Sequence, residues 1–143
     1  MSKHIVIPTD GSKEAERGVK LGIEMANAYD AKVHALYVIE TKATYILTAG
    51  ISDSDMKEYK EYGEDVVTEV AERAADEGLD AAGVIKTGRI SEEIVEYAED
   101  NDIDHIVMGK QGRGSIGKYV GSTAEKVMRM SGVPVTVTGP GNR

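Results

Sequence analysis

The chain has 143 residues, 25 acidic against 17 basic side chains for a net charge of −8, and no cysteine. Length points to one domain over 1–143; the missing thiols exclude disulfides, thiolate catalysis, iron–sulfur clusters and cysteine-bound zinc; and an anionic surface does not suit a general nucleic-acid binder. Hydrophobic residues at 41% are too many for disorder, no apolar run nears the ~20 residues of a membrane span, and Met1-Ser2-Lys3-His4 lacks the parts of a signal peptide, so a soluble cytoplasmic protein is expected.

With no Phe or Trp, the core must be aliphatic, and the aliphatics fall into short clusters. His4-Ile5-Val6-Ile7-Pro8 is a continuous apolar run of the kind buried on both faces of a parallel sheet, closed by Thr9-Asp10-Gly11-Ser12. Behind a candidate N-cap at Ser12, Ala15, Val19, Gly22, Ile23 and Ala26 repeat at helical spacing. A second strand is expected over Val33 to Ile39. Glu40 to Asp53 is then too long for an ordinary connection and reads as a surface loop, or as a lid or partner loop. Val66, Val67, Val70, Ala71 and Ala74 mark a second helix, with Gly78 as its C′ stop. A strand follows over Ala81 to Ile85, then a helix capped by Ser91, with Glu92 and Glu93 at the positive end of its dipole. After a strand over Ile103 to Met108, Gly121-Ser122-Thr123 opens a fourth helix. That helix turns Ala124, Val127 and Met128 to the sheet and ends before Gly132. Val133 to Val137 is the last strand. Strict alternation predicts an α/β fold: an open five-stranded parallel sheet, Rossmann-like, with helices on both faces.

Charge is unevenly spread. Residues 53–77 hold ten acids and three bases, the solvated face of a long helix, whereas residues 109–129 hold five bases against Glu125 alone. The basic segment follows the fourth strand directly as Gly109-Lys110-Gln111-Gly112-Arg113-Gly114-Ser115-Ile116-Gly117. In open parallel sheets ligands bind beyond the carboxyl ends of strands. Glycines let backbone N–H groups approach a phosphate, and the start of the next helix favours negative charge. Phosphate binding is therefore expected, with a merely flexible turn as the bland reading. Two fingerprints nearly match. Gly112-x-x-x-x-Gly117-Lys118 has Walker A spacing, but Tyr119 stands where Ser or Thr must hold magnesium. Gly112-x-Gly114-x-x-Gly117 fits a dinucleotide pattern, but no acid follows Glu125.

Ile5-Val6-Ile7-Pro8-Thr9-Asp10-Gly11-Ser12, Leu36-Tyr37-Val38, Met108-Gly109-x-x-Gly112 with Gly121-Ser122, and Val133-Pro134-Val135 together resemble the universal stress protein family. The likeness is to its ATP-binding, UspA-like subgroup and runs the whole chain in order. Gly112 to Gly121 encloses eight residues where that subgroup's pattern has nine. The resemblance implies a fold like that of the adenine nucleotide alpha hydrolases. It implies adenine near Pro8, Thr9, Asp10 and Val38, ribose near Met108 and Gly109, and phosphates near Gly112, Arg113, Gly114, Gly121, Ser122 and Thr123, with Mg2+ alongside where the ligand is ATP. On the residues alone, Asp10 is equally suited to an Asx-type bond in its own turn, Val38 is an ordinary strand valine, and Ser122 and Thr123 suit a helix cap.

Nothing in the chain resembles a catalytic constellation. His4, His34 and His105 lie in or beside different strands without metal-ligand spacing; a parallel sheet could bring His4 and His34 together, with packing or exposure the simpler role. Glu92-Glu93 and Glu99-Asp100 read as solubilising charge, and the six methionines fill gaps in a core without large aromatics. Lys110, Arg113 and magnesium could support slow hydrolysis, yet no base positions water. The expected function is an adenine-nucleotide-binding stress-response switch. A nucleotide-free interaction module of the same fold is the alternative, and a slow ATPase the lesser one. The β-rich segment Val133 to Thr138, if it forms a sheet edge, offers a route to a homodimer, which the resemblance also implies.

Overall fold

The computed structural model describes residues 3–40, 53–109 and 121–139. Along the chain run β1 (Lys3–Pro8), α1 (Glu16–Tyr29), β2 (Ala31–Glu40), α2 (Asp53–Asp76), β3 (Ala81–Gly88), α3 (Ile90–Asp100), β4 (His105–Gly109), α4 (Ser122–Met130) and β5 (Val135–Thr138). The five strands form one parallel sheet in the order β3-β2-β1-β4-β5, the α/β architecture expected from the alternation. Strand periodicity divides the core into two layers. Ile5 and Ile7 of β1 pack with Val19, Ile23 and Ala26 of α1 and Val67, Val70 and Ala74 of α2. Val6, between them, packs on the other face with Leu36, Ile94, Ala98, Ile106, Ala124 and Val127. Helices α1 and α2 therefore cover one face, α3 and α4 the other.

Most boundaries follow local chemistry. Ser12 Oγ accepts the Ala15 N–H (3.1 Å), capping the turn that leads into α1. Gly78 takes the left-handed conformation (φ +82°) two residues past α2, as a C′ stop requires. Several expectations are corrected. Strand β2 opens at Ala31 rather than Val33, because Asp30 adopts φ 55° and turns the chain straight out of α1. Ile103 is not in a strand: its N–H bonds to the Ala98 carbonyl (3.0 Å), and it closes α3 as a buried post-helix residue before β4 begins at His105. Val133 is held in a turn by Ser131 Oγ (3.0 Å), and β5 begins only after Pro134.

Ser91 does not cap α3. The capping position falls on Arg89, in extended conformation, and Ser91 is buried inside the helix. Met128 does not face the sheet. It is 43% exposed, one helical step of ~100° beyond buried Val127. The 41–52 stretch, read from the sequence as a loop, lies outside the described residues.

Candidate functional site

From β1 the chain winds outward to β2 and β3 on one side, then returns to place β4 and β5 on the other. The direction of winding reverses between β1 and β4, the point where an open parallel sheet leaves a crevice at its carboxyl edge. The pairing agrees. The β1–β4 register holds only Ile5↔His105 and Val6↔Ile106, although β1 runs on to Pro8 and β4 to Gly109. Beyond Val6 and Ile106 the two strands have no further register partners in each other, and Pro8 lacks the N–H needed for a ladder bond.

The β1–α1 turn forms one wall. Thr9 N–H bonds to the Leu36 carbonyl (2.9 Å), tying the turn to β2. Thr9 Oγ1 accepts the Gly11 N–H (3.1 Å) and Asp10 Oδ1 accepts the Ser12 N–H (2.9 Å). The Asx-type role of Asp10 thus exists, fixing its carboxylate in orientation at the crevice. Gly11 is left-handed (φ +77°), and a Cβ there would lie 2.6 Å from the Tyr62 hydroxyl and 2.7 Å from Val66 Cγ2. That hydroxyl donates to the Asp10 carbonyl (3.0 Å), and the Tyr62 ring meets Tyr37 edge-on at 5.7 Å. Sequence reasoning missed Tyr62. Its only signal was one of two tyrosines in an otherwise strongly charged helix.

The opposite wall is the end of β4. Gly109 packs so closely under α1 that a Cβ would stand 2.9 Å from the Glu14 carbonyl oxygen, and a Cβ on Gly18 would meet the Gly109 nitrogen at 2.5 Å. The Met108 side chain is buried in the second core layer, with Val38 partly buried against the same layer. Thr138, the register partner of Gly109, is 8% exposed, and its hydroxyl has no hydrogen-bond partner among the described residues. Helix α4 starts behind Gly121, an N-cap with no side-chain cap hydrogen bond, so Ser122 and Thr123 are the first helical residues rather than caps. Arg129 is paired to Glu125 (3.1 Å), which offsets part of the basic segment. Lys110, Gly112, Arg113, Gly114 and Lys118 lie outside the described residues. The structure therefore brings Pro8, Thr9 and Asp10 to the crevice with Met108 and Gly109, and places Val38 on the neighbouring strand.

Among the described residues no group of three His, Asp or Glu side chains is placed to hold a metal ion, and no helix is long and apolar enough to cross a membrane. His105 pairs through Nε2 with Thr136 Oγ1 (2.7 Å), and burial holds its pKa below the ordinary histidine value.

The model of the universal stress protein family matches residues 1–139. Universal stress protein MJ0531 of Methanocaldococcus jannaschii is 36% identical over 137 residues, spanning 94% of this chain and 81% of that one. The structure of MJ0577, from the same organism, superposes with a TM-score of 0.85 at 29% identity, covering 100% and 99% of the two chains. The universal stress protein of Archaeoglobus fulgidus, solved in complex with dAMP, shares the fold at a TM-score of 0.70 and 22% identity, covering 94% and 96%.

Proposed function

The chain belongs to the universal stress protein family, and from that premise we propose that it binds an adenine nucleotide between the carboxyl ends of β1 and β4. ATP, accompanied by Mg2+, ADP and AMP are the candidate ligands, and occupancy changes a surface that a partner reads. The observation that carries this reading is the early end of the β1–β4 ladder, which leaves a crevice at the switch point of the sheet. The dAMP bound to the Archaeoglobus fulgidus relative supplies the ligand class. The residues fit such a group: the Thr138 hydroxyl is buried without a partner among the described residues, and Gly121, the N-cap of α4, carries no side-chain oxygen to cap the first-turn N–H groups.

On this reading Pro8, Thr9, Asp10 and Val38 surround the base, and Met108 and Gly109 border the ribose. Gly112, Arg113, Gly114, Gly121, Ser122 and Thr123 take the phosphates. The protein is one domain over 1–143, acts in the cytoplasm and works by binding rather than turnover. It pairs with a second copy through β5, an edge strand beside which α4 leaves Met128 and Met130 exposed.

The test is chromatography of small molecules released on denaturation, followed by calorimetric titration of the emptied chain with ATP and Mg2+. Stoichiometric release or saturable uptake is expected, with Gly112→Val abolishing binding at an unchanged urea midpoint. A chain that carries nothing and takes up nothing sinks the proposal. The second reading, a nucleotide-free interaction module, is favoured by one observation: Thr9 Oγ1 and Asp10 Oδ1 are already engaged inside their own turn.

A further inference from the structure

At the amino end of the sheet, away from the crevice, two histidines and a tyrosine form a chain. His4 Nδ1 lies 3.0 Å from His34 Nε2, and His34 Nδ1 lies 2.7 Å from the Tyr97 hydroxyl. The rings sit 5.2 Å and 5.6 Å apart in tilted and edge-on arrangements. His34 and Tyr97 are buried, and Tyr97 belongs to the inner face of α3. Asp104 fixes the backbone of His4 from both sides: its Oδ2 accepts the His4 N–H, and its own N–H donates to the His4 carbonyl (2.8 Å each). Three elements, β1, β2 and α3, are thus joined through side chains.

Proton counting limits what the chain can hold. With both imidazoles neutral, one N–H bridges the rings and one hydrogen bridges His34 and Tyr97. One added proton fits on His4, whose Nδ1–H then donates to the Nε2 of a neutral His34 while the His34 Nδ1–H donates to the tyrosine oxygen. A second added proton does not fit. It would put an N–H on each of two nitrogens 3.0 Å apart, both cationic, inside a half-closed site.

We propose that His4, His34 and Tyr97 form a proton-operated clasp that ties α3 to β1 and β2, and that a second proton on the histidine pair opens it. The surrounding charges assist the opening. Lys32 stands on the same strand as His34, Lys86 of β3 lies 6.0 Å from the Tyr97 ring centroid, and the Asp104 carboxylate already accepts the His4 amide. Burial, then His4, then Lys32 bring His34 down to about 4, while burial pushes the Tyr97 phenol up and keeps its hydrogen in place.

An opened or unfolded chain protonates His34 at its ordinary value of 6.5, and the closed clasp only near 4. Stability from the clasp is therefore complete above pH 6.5 and is lost as pH falls toward 4. One proton per opening event makes the opening equilibrium of α3 grow about tenfold per pH unit across that window.

The test uses the full chain in two measurements. Nuclear magnetic resonance titration of the histidine Cε1 positions in the wild type should show His34 still neutral at pH 5 and protonated only as pH falls toward 4. Hydrogen exchange, corrected for intrinsic rates, should show α3 opening with falling pH while α1 does not, and His34→Gln should remove that slope while His105 still titrates. Titration of His34 at its ordinary value of 6.5 overturns the proposal without any variant. So does an acid-induced opening that is equal in α1 and α3, or one that persists in His34→Gln.

Discussion

Gly11 shows how much a single position constrains the crevice. Its backbone is left-handed and its α-hydrogen faces Tyr62 and Val66, so Gly11→Ala meets both conformational strain and a collision. A loss of about 1–3 kcal/mol in urea denaturation is expected. Tyr62→Phe removes the bond to the Asp10 carbonyl and should cost about 1 kcal/mol. In the background of Tyr62→Ala, Gly11→Ala should cost less than alone, because the collision is relieved and the strain is not; equal costs would mean that Tyr62 does not press on the turn. The turn itself was legible in the sequence, since Thr9-Asp10-Gly11-Ser12 closes its hydrogen bonds within a few residues. Tyr62 was not, because it meets the turn from 52 residues away and its spacing within α2 says nothing about which loop it reaches.

Among elements, the contact of α1 with β4 decides how tightly the crevice is framed. Gly18 lies against backbone atoms of Met108 and Gly109, whereas Gly22 lies against the tip of the Ile7 side chain. Both gain about 1 kcal/mol of helix propensity on replacement by alanine. The Ile7 side chain can shift by a small amount more readily than a strand backbone can. Gly18→Ala should therefore be clearly the more destabilising of the two in matched urea titrations, and the reverse order would mean that α1 slides freely over the sheet. The alternation of strands and helices was readable because each run announces its own period. The approach of α1 to β4 was not, since both glycines look like ordinary small residues. Ser91 misled for a related reason: a serine before a helical run is a cap only if the chain enters from an extended residue at that position, and the exit from β3 gives that conformation to Arg89.

For the whole molecule, the open question is what covers the edge of the sheet at β5. Met128 and Met130 are exposed on α4, the helix that precedes that four-residue edge strand, and light scattering at micromolar concentration should give twice the chain mass. Met128→Glu combined with Met130→Glu should return the mass of one chain without loss of helical circular dichroism. A wild type already at the mass of one chain would end the dimer reading. The segment was visible in the sequence as a β-rich terminus, but its place at an edge depends on the strand order, which alternation alone leaves undetermined. The tyrosine pair has a practical consequence at this scale. The chain has seven tyrosines and neither tryptophan nor phenylalanine, so its near-ultraviolet emission is tyrosine emission alone. Tyr62, resting on the Asp10 carbonyl with Tyr37 at its edge, is a native fluorophore at the rim of the crevice. An event there can be followed optically in the unlabelled protein, with Tyr62→Phe as the control that removes this emitter.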